Sequence, residues 1–235
     1  MEIDALVPAY NEAATVGLTV AAIFEIPQMR RVLVIDDGST DDTAARAAAA
    51  GAQVLRLPRN LGKGGAVLLG APFITAPYVA LVDADLGSSA GELSRLVPPV
   101  RSGGAAMSIA SFPLKRRGGF GLVKKLAAWS IYRCTGQLME EPLSGQRILR
   151  RELLQALSYP PRGFGLEVAL TLDTLQQGRL VVEVPARLSH RERGREPGSF
   201  IHRGRQGLDI MRELWLRRSR LLSGNGKGVR RRCLR

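Results

Sequence analysis

Three runs of the chain, IDALVP (3–8), RVLVID (31–36) and YVALVDAD (78–85), are apolar with little of the polar alternation that marks a half-solvated strand. Strands of this kind must be covered on both faces. Helices crossing over a parallel sheet do this most directly. The intervening segments supply them. NEAATVGLTVAAIFEI (11–26) spaces its apolar residues for a helix, and DDTAARAAAAG (41–51) is a short helix stopped by glycine. AQVLRLP (52–58) reads as another strand and GKGGAVLLGAPFIT (62–75) as another helix. Strands and helices in alternation predict an α/β fold with a mostly parallel sheet flanked by helices.

In such sheets ligands bind beyond the carboxyl ends of the strands. That rule gathers four loops along one crevice: PAYNE, DDGSTDD, PRNLGKGG and DADLG. The second half is less regular. GGAAMSIASFPL (103–114) and LVVEVPARLSH (180–190) read as strands. GLVKKLAAWSIYRCTG (121–136) reads as an amphipathic helix, as does RGFGLEVALTLDTLQQG (162–178), capped by Gly178. Residues 200–222 also look helical.

At 235 residues and 45% hydrophobic content, the chain can bury a substantial core. Its net charge of +13 favours anionic partners, and the excess sits in Lys115–Lys125 and after Arg187. Cys134 and Cys233 are too few and too far apart for a disulfide framework or a zinc site, which fits a reducing cytoplasm. The opening MEIDALVPAYNE reads as a first strand, not a leader, and the apolar run 66–82 is broken by Pro72 and Pro77. A soluble protein is expected.

Each loop has a bland reading and a chemical one. Ser39 or Thr40 would simply cap the following helix. Yet Asp36 and Asp37 emerge together where a ligand's N–H or hydroxyl would be bound. The glycines of NLGKGG suit a turn, but free N–H groups at a helix start, with Lys63 beside them, also suit a diphosphate. The stretch matches neither a P-loop nor GxGxxG. Asp83 and Asp85 are either a solvated strand end or the holders of a divalent cation that binds a nucleotide diphosphate. Hard cations need few carboxylates when phosphate oxygens complete the shell.

VPAYNE, VIDDGSTDDT, NLGKGG and VDADL, in this order and spacing, resemble the nucleotide-sugar half of family-2-type glycosyltransferases with the GT-A (Rossmann-like) fold. SFPLKRRGGFGLVKKLA, PLSGQ with RRELL, GFGLEVALTLDT and SHRERGRE with HRGRQ resemble the bacterial glucosyl-phosphoglycerate synthases. The resemblance implies one domain over 1–222. A nucleotide-sugar half (1–102) and a smaller acceptor half (103–222) precede a basic, disordered tail (223–235). It implies that Pro8, Ala9, Tyr10, Glu12, Asp36 and Asp37 line the nucleoside and that Lys63 lies near it. Asp83, Ala84 and Asp85 would form the DxD metal and ribose site, with Asp85, Asp83 and His190 as ligands of Mn²⁺ or Mg²⁺. Ser144, Gly145 and Gln146 would build the sugar pocket, Glu167 would stand beside sugar or acceptor, and His202 near the donor phosphate. Asp85 and Glu167 would carry the catalytic roles.

The implied donor is UDP-glucose. Where phosphoglycerate-using enzymes place an arginine and a threonine for the acceptor's phosphate, this chain has Leu122 and Lys124, and Glu192 replaces an asparagine. A hydrophobic residue and an acid bind anions poorly, which argues against phosphoglycerate. Lys115, Arg116, Arg117, Lys124 and Lys125 keep a phosphorylated acceptor in play. GFGLEVALTLDTLQQGRLVVEVP also resembles dolichol-phosphate-sugar synthases, which makes a polyprenyl phosphate the alternative, with the basic tail touching anionic lipid. A homodimer through the apolar helix near Trp129 is a further expectation. Against a basic nucleic-acid-binding protein stand the 5% aromatic content and the lack of a recognisable module.

Overall fold

In the computed structural model, residues 1–112, 121–157 and 165–189 are described. Their strands are β1 (Ile3–Ala9), β2 (Met29–Asp36), β3 (Gln53–Arg56), β4 (Tyr78–Leu81), β5 (Met107–Ser111), β6 (Arg147–Arg150) and β7 (Val181–Pro185). The helices are α1 (Val16–Phe24), α2 (Thr43–Ala49), α3 (Gly62–Gly70), α4 (Val97–Arg101), α5 (Gly121–Thr135), α6 (Arg151–Gln155) and α7 (Gly165–Gln176). Two 3₁₀ segments, Ala71–Phe73 and Gly87–Leu96, complete the described elements.

The strands form one sheet in the order β3-β2-β1-β4-β6-β5-β7. Pairings β1–β2, β1–β4, β2–β3 and β5–β7 are parallel, and β6 runs antiparallel to both its neighbours. The chain builds outward from β1 to β3, then returns to lay β4 on the other side of β1. The carboxyl ends of β1 and β4 therefore flank the point where strand order reverses, the expected ligand crevice of an open α/β sheet.

Alternate residues of the same strand serve two cores. Ala5, Val7, Val32 and Val34 pack with Val16, Val20 and Ile23 of α1 and with Leu93 and Leu96. Leu6, Leu33, Ile35 and Leu81 pack on the other side with Ala66 and Val67 of α3, Ala127 and Ile131 of α5, and Leu166 and Leu170 of α7. Burial on both faces explains the continuous apolar runs. On α5, Trp129 and Tyr132 stay exposed, with the Arg133 guanidinium over the Trp129 ring. No described helix is long and apolar enough to cross a membrane.

Several expected boundaries move. β4 ends at Leu81 rather than at Asp85, because the Thr19 hydroxyl of α1 holds the next turn, donating to Ala84 O and accepting from Gly87 N–H. The helix expected at 62–75 is α3 followed by a 3₁₀ turn at Pro72, and β6, α4 and α6 were not foreseen. Neither Ser39 nor Thr40 caps α2. The Asp41 carboxylate takes the Thr43 N–H instead. Gly178 does close α7, with φ +71.

Candidate active site

Sheet register builds the centre of the site. In the antiparallel pair β4–β6, Leu81 lies opposite Arg147, so two residues further along one strand and two before the other bring Asp83 to Gly145. Gln146 Nε2 donates to Asp83 Oδ2 at 2.6 Å, and the Ser144 hydroxyl donates to Gln146 Oε1 at 3.3 Å. A Cβ on Gly145 would stand 2.3 Å from Lys63 Nζ and 2.7 Å from Asp83 Oδ2. Glycine is required here so that two charged side chains can approach the backbone.

Lys63, in the first turn of α3, crosses the crevice to join its two halves. Its ammonium lies 2.6 Å from Asp83 Oδ1 and 2.8 Å from Glu167 Oε1 in the first turn of α7. Burial opposes the charge on Lys63, but the fields of Asp83 and Glu167 and the contacts to them outweigh it, holding the ammonium above the usual lysine range. Glu167 is 2% exposed. Its Oε1 is held by the ion pair alone, and its Oε2 has no hydrogen-bond partner among the described residues.

The loops after β1 and β2 are tightly zipped together. Asp37 N–H donates to Ala9 O at 2.8 Å, Glu12 N–H to Thr43 Oγ1 at 2.8 Å and Asn11 N–H to Ser39 Oγ at 3.0 Å. Pro8 and Ala9 end β1, Tyr10 is exposed, and Glu12 is buried. Asp36 is buried with Oδ1 on Ser39 N–H and Oδ2 3.3 Å from Arg56 Nε. A shallow hollow of about 420 Å³ opens beside it, lined by Gly38, Ser39, Arg56, Leu57 and Pro58. It lies on the β2–β3 side, away from the Lys63 cluster. Asp37 accepts the N–H groups of Leu61 and Gly62 at 2.7 and 2.8 Å. Two of the amides expected to serve a diphosphate at the start of α3 are thus already bonded to this carboxylate. Burial pushes the Asp37 carboxyl up and Asp36 adds to it, against the two amides.

Asp85 follows in the turn after β4, while the Ala84 side chain is buried in the core. Among the described residues no group of three or more His, Cys, Asp or Glu side chains is placed to hold a metal. Two carboxylates on one turn are nonetheless the oxygen donors that Mg²⁺ or Mn²⁺ takes together with phosphates. His190 and His202 lie outside the described residues, as do Lys115, Arg116 and Arg117. At the end of the described stretch, Ser189 N–H donates to Ser89 Oγ at 3.0 Å. Arg187 N–H on the same stretch bonds Glu92 Oε2.

Arg147 escaped the motif reading. It is fully buried, and burial pulls its guanidinium down to about 10 against the fields of Glu167, Glu183 and Asp83, so it stays charged at neutral pH. Arginine in a short strand ordinarily signals an edge or solvent-facing position, so RILR carried no warning.

Comparison with known proteins bears on the family and the fold. The family model described as "Glycosyl transferase family 2" matches residues 4–164. An uncharacterised glycosyltransferase of Mycobacterium tuberculosis is 33% identical over 207 residues, which is 86% of this chain and 92% of that protein. An undecaprenyl-phosphate mannosyltransferase of Micrococcus luteus is 28% identical over 209 residues, 83% of this chain and 86% of its own. Among solved structures, glucosyl-3-phosphoglycerate synthase of M. tuberculosis with Mn²⁺, UDP-glucose and phosphoglyceric acid superposes with a TM-score of 0.76. The identity is 28%, covering 97% of this chain and 82% of that one. Other crystals of that synthase carry Mn²⁺, UDP-glucose and glycerol 3-phosphate, or Mg²⁺ and UDP. A family model that matches residues 4–164, well over half of the chain and including the paired-acid turn after β4, makes this chain a member of the glycosyl transferase family 2 enzymes.

Proposed function

We propose that the chain transfers glucose from UDP-glucose to the hydroxyl of a small phosphorylated acceptor, with Mn²⁺ or Mg²⁺ at the DADLG turn. The observation that carries this reading is the Lys63 bridge, which ties the diphosphate side of the crevice to the acceptor-side helix α7. The solved relatives that carry a nucleotide sugar, a cation and a small phosphorylated acceptor support the substrate classes.

We assign the cation to Asp85 and His190, the ligands the family resemblance implies, with Asp83 held by Lys63 and Gln146. When bound, the cation would neutralise the charge that develops on the departing UDP. Pro8, Ala9, Tyr10, Glu12, Asp36 and Asp37 shape the nucleoside loops, and the Ser144–Gln146 turn faces the sugar. Lys63 ties Asp83 of the DADLG turn to Glu167, so its part in the transfer step is to position those two carboxylates. The open Oε2 of Glu167 accepts a hydroxyl hydrogen of the bound sugar or acceptor and so orients it. Lys124 is paired with Glu141 at 2.6 Å, which lowers its value as an anchor for the acceptor's phosphate.

The test is nucleoside diphosphate release from UDP-glucose and from GDP-mannose with Mn²⁺, offering glycerol 3-phosphate, 3-phosphoglycerate or undecaprenyl phosphate in detergent. Metal-dependent UDP release stimulated by a small phosphorylated acceptor is expected. Turnover confined to GDP-mannose with undecaprenyl phosphate would replace this reading with the lipid-acceptor one.

A further inference from the structure

Arg147 sits at the first position of β6, between Leu81 of β4 and Ile109 of β5, and is buried to the last atom. Among the described residues its guanidinium hydrogen-bonds no carboxylate. Nε donates to Ser144 O at 2.7 Å, and Nη2 donates to Pro142 O at 2.9 Å. Nη1 donates to Glu167 O at 2.9 Å and to the Thr171 hydroxyl at 2.8 Å. One rigid fork thus gathers the loop before β6 and the first two turns of α7.

Burying a cation this way is expensive, and well-packed apolar side chains generally stabilise a core as well or better. What an apolar residue lacks is the set of directed donors that fixes three segments relative to one another. The segments joined here carry Ser144, Gly145, Gln146 and Glu167, and through them the partners of Asp83 and Lys63. The same loop is gripped from the far side, where the Glu183 carboxylate accepts the N–H groups of Glu140 and Glu141.

We propose that Arg147 is a positioning residue for the transfer step, holding the Ser144–Gln146 turn and the Glu167 end of α7 at the spacing the sugar requires. It touches no substrate itself. The proposal rests on the preceding assignment of that turn to the sugar side, but not on which nucleotide sugar is used. None of the β1–β3 loops assigned to the nucleoside is among its hydrogen-bond partners.

Arg147→Met, Arg147→Lys and Thr171→Val test it, each measured for nucleotide affinity (UDP and GDP with Mn²⁺) and for kcat with UDP-glucose and GDP-mannose. Arg147→Met is expected to keep nucleotide affinity within about twofold, since no residue of the loops assigned to the nucleoside is among the hydrogen-bond partners of Arg147. Its kcat should fall about 10²-fold, the scale set by a misplacement of about 1 Å. Arg147→Lys should recover part of that loss. If Arg147→Met does not fold, Thr171→Val keeps the test open: it removes the bond from Arg147 and the Thr171 bond to Glu167 O, with kcat down at least about fivefold and affinity unchanged. Unchanged kcat in the folded variants overturns the proposal, and so does a loss of nucleotide affinity equal to the loss of kcat. Wild-type protein that binds nucleotide but turns over neither sugar donor overturns both this inference and the reading beneath it. Turnover of GDP-mannose alone overturns only the choice of donor.

Discussion

Replacing Lys63 with methionine keeps an unbranched side chain only one atom shorter and removes its charge. The ammonium is the counter-charge to Glu167, 2.8 Å away, and to Asp83, 2.6 Å away. Breaking a fully buried pair by removing one partner costs about 3–5 kcal/mol, whereas exposed pairs are worth about 0–1 kcal/mol. Glu167 is sealed but the Lys63 side chain is 28% exposed, so an intermediate cost of about 2–3 kcal/mol follows. In a domain of this size that lowers Tm by about 4–12 °C. A double-mutant cycle with Glu167→Gln isolates the pair from the Asp83 contact, which is lost in both backgrounds. Urea unfolding of the four proteins should give a coupling of at least about 1 kcal/mol. Because the folded-state pKa of Lys63 is raised, its stabilisation is fully present below the unfolded-state value and is lost only as pH climbs through the folded one. The coupling should therefore be constant between about pH 6 and 9. Strictly additive single-mutant costs would refute the bridge.

Gly145→Ala drives a methyl group against the flexible ends of Lys63 and Asp83. It should cost no more than about 1–3 kcal/mol in a thermal melt yet reduce nucleoside diphosphate release more than about tenfold, as the cluster is displaced. At the opposite end of the sheet, the buried Asp4 carboxylate accepts the N–H groups of Thr75 and Ala76 and bonds from Arg30 and Arg31. Burial works against its charge, but these donors prevail and hold it below the ordinary aspartate value of 3.8. Its stabilisation is thus present above that value and disappears as pH falls through the lower folded-state one. In Tm measured against pH, Asp4→Asn should be less stable at neutrality and lose less stability than the wild type on acidification.

Much of the first half was legible because backbone physics dominates there. Strands buried on both faces leave unbroken apolar runs, and parallel order forces the loops after β1, β2, β3 and β4 onto one edge. What was not legible depends on pairings made across long stretches of sequence. Lys63 looked like a phosphate ligand beside free amides, yet Asp37 occupies two of those amides and Lys63 turns to Asp83 and Glu167. The antiparallel strand β6 had no periodic signal in four residues, so the meeting of Gly145 with Asp83 could not be anticipated. The crowding of Lys63 and Asp83 against the Gly145 backbone likewise had no signal in the sequence. Arg147 was invisible for the same reason, since a buried cation is recognisable only once its carbonyl partners are assembled around it.

In the proposed reading, the turn after β4 joins a cation to a nucleoside diphosphate through Asp85. Calorimetric titration of UDP into wild-type protein and Asp85→Ala, each with and without Mn²⁺, tests it directly. The wild type should bind UDP at least about tenfold more tightly with Mn²⁺, a gain of about 1.4 kcal/mol, and Asp85→Ala should lose that gain while still binding UDP weakly. Equal UDP affinity with and without Mn²⁺ in the wild type, or an undiminished metal effect in Asp85→Ala, would contradict the account.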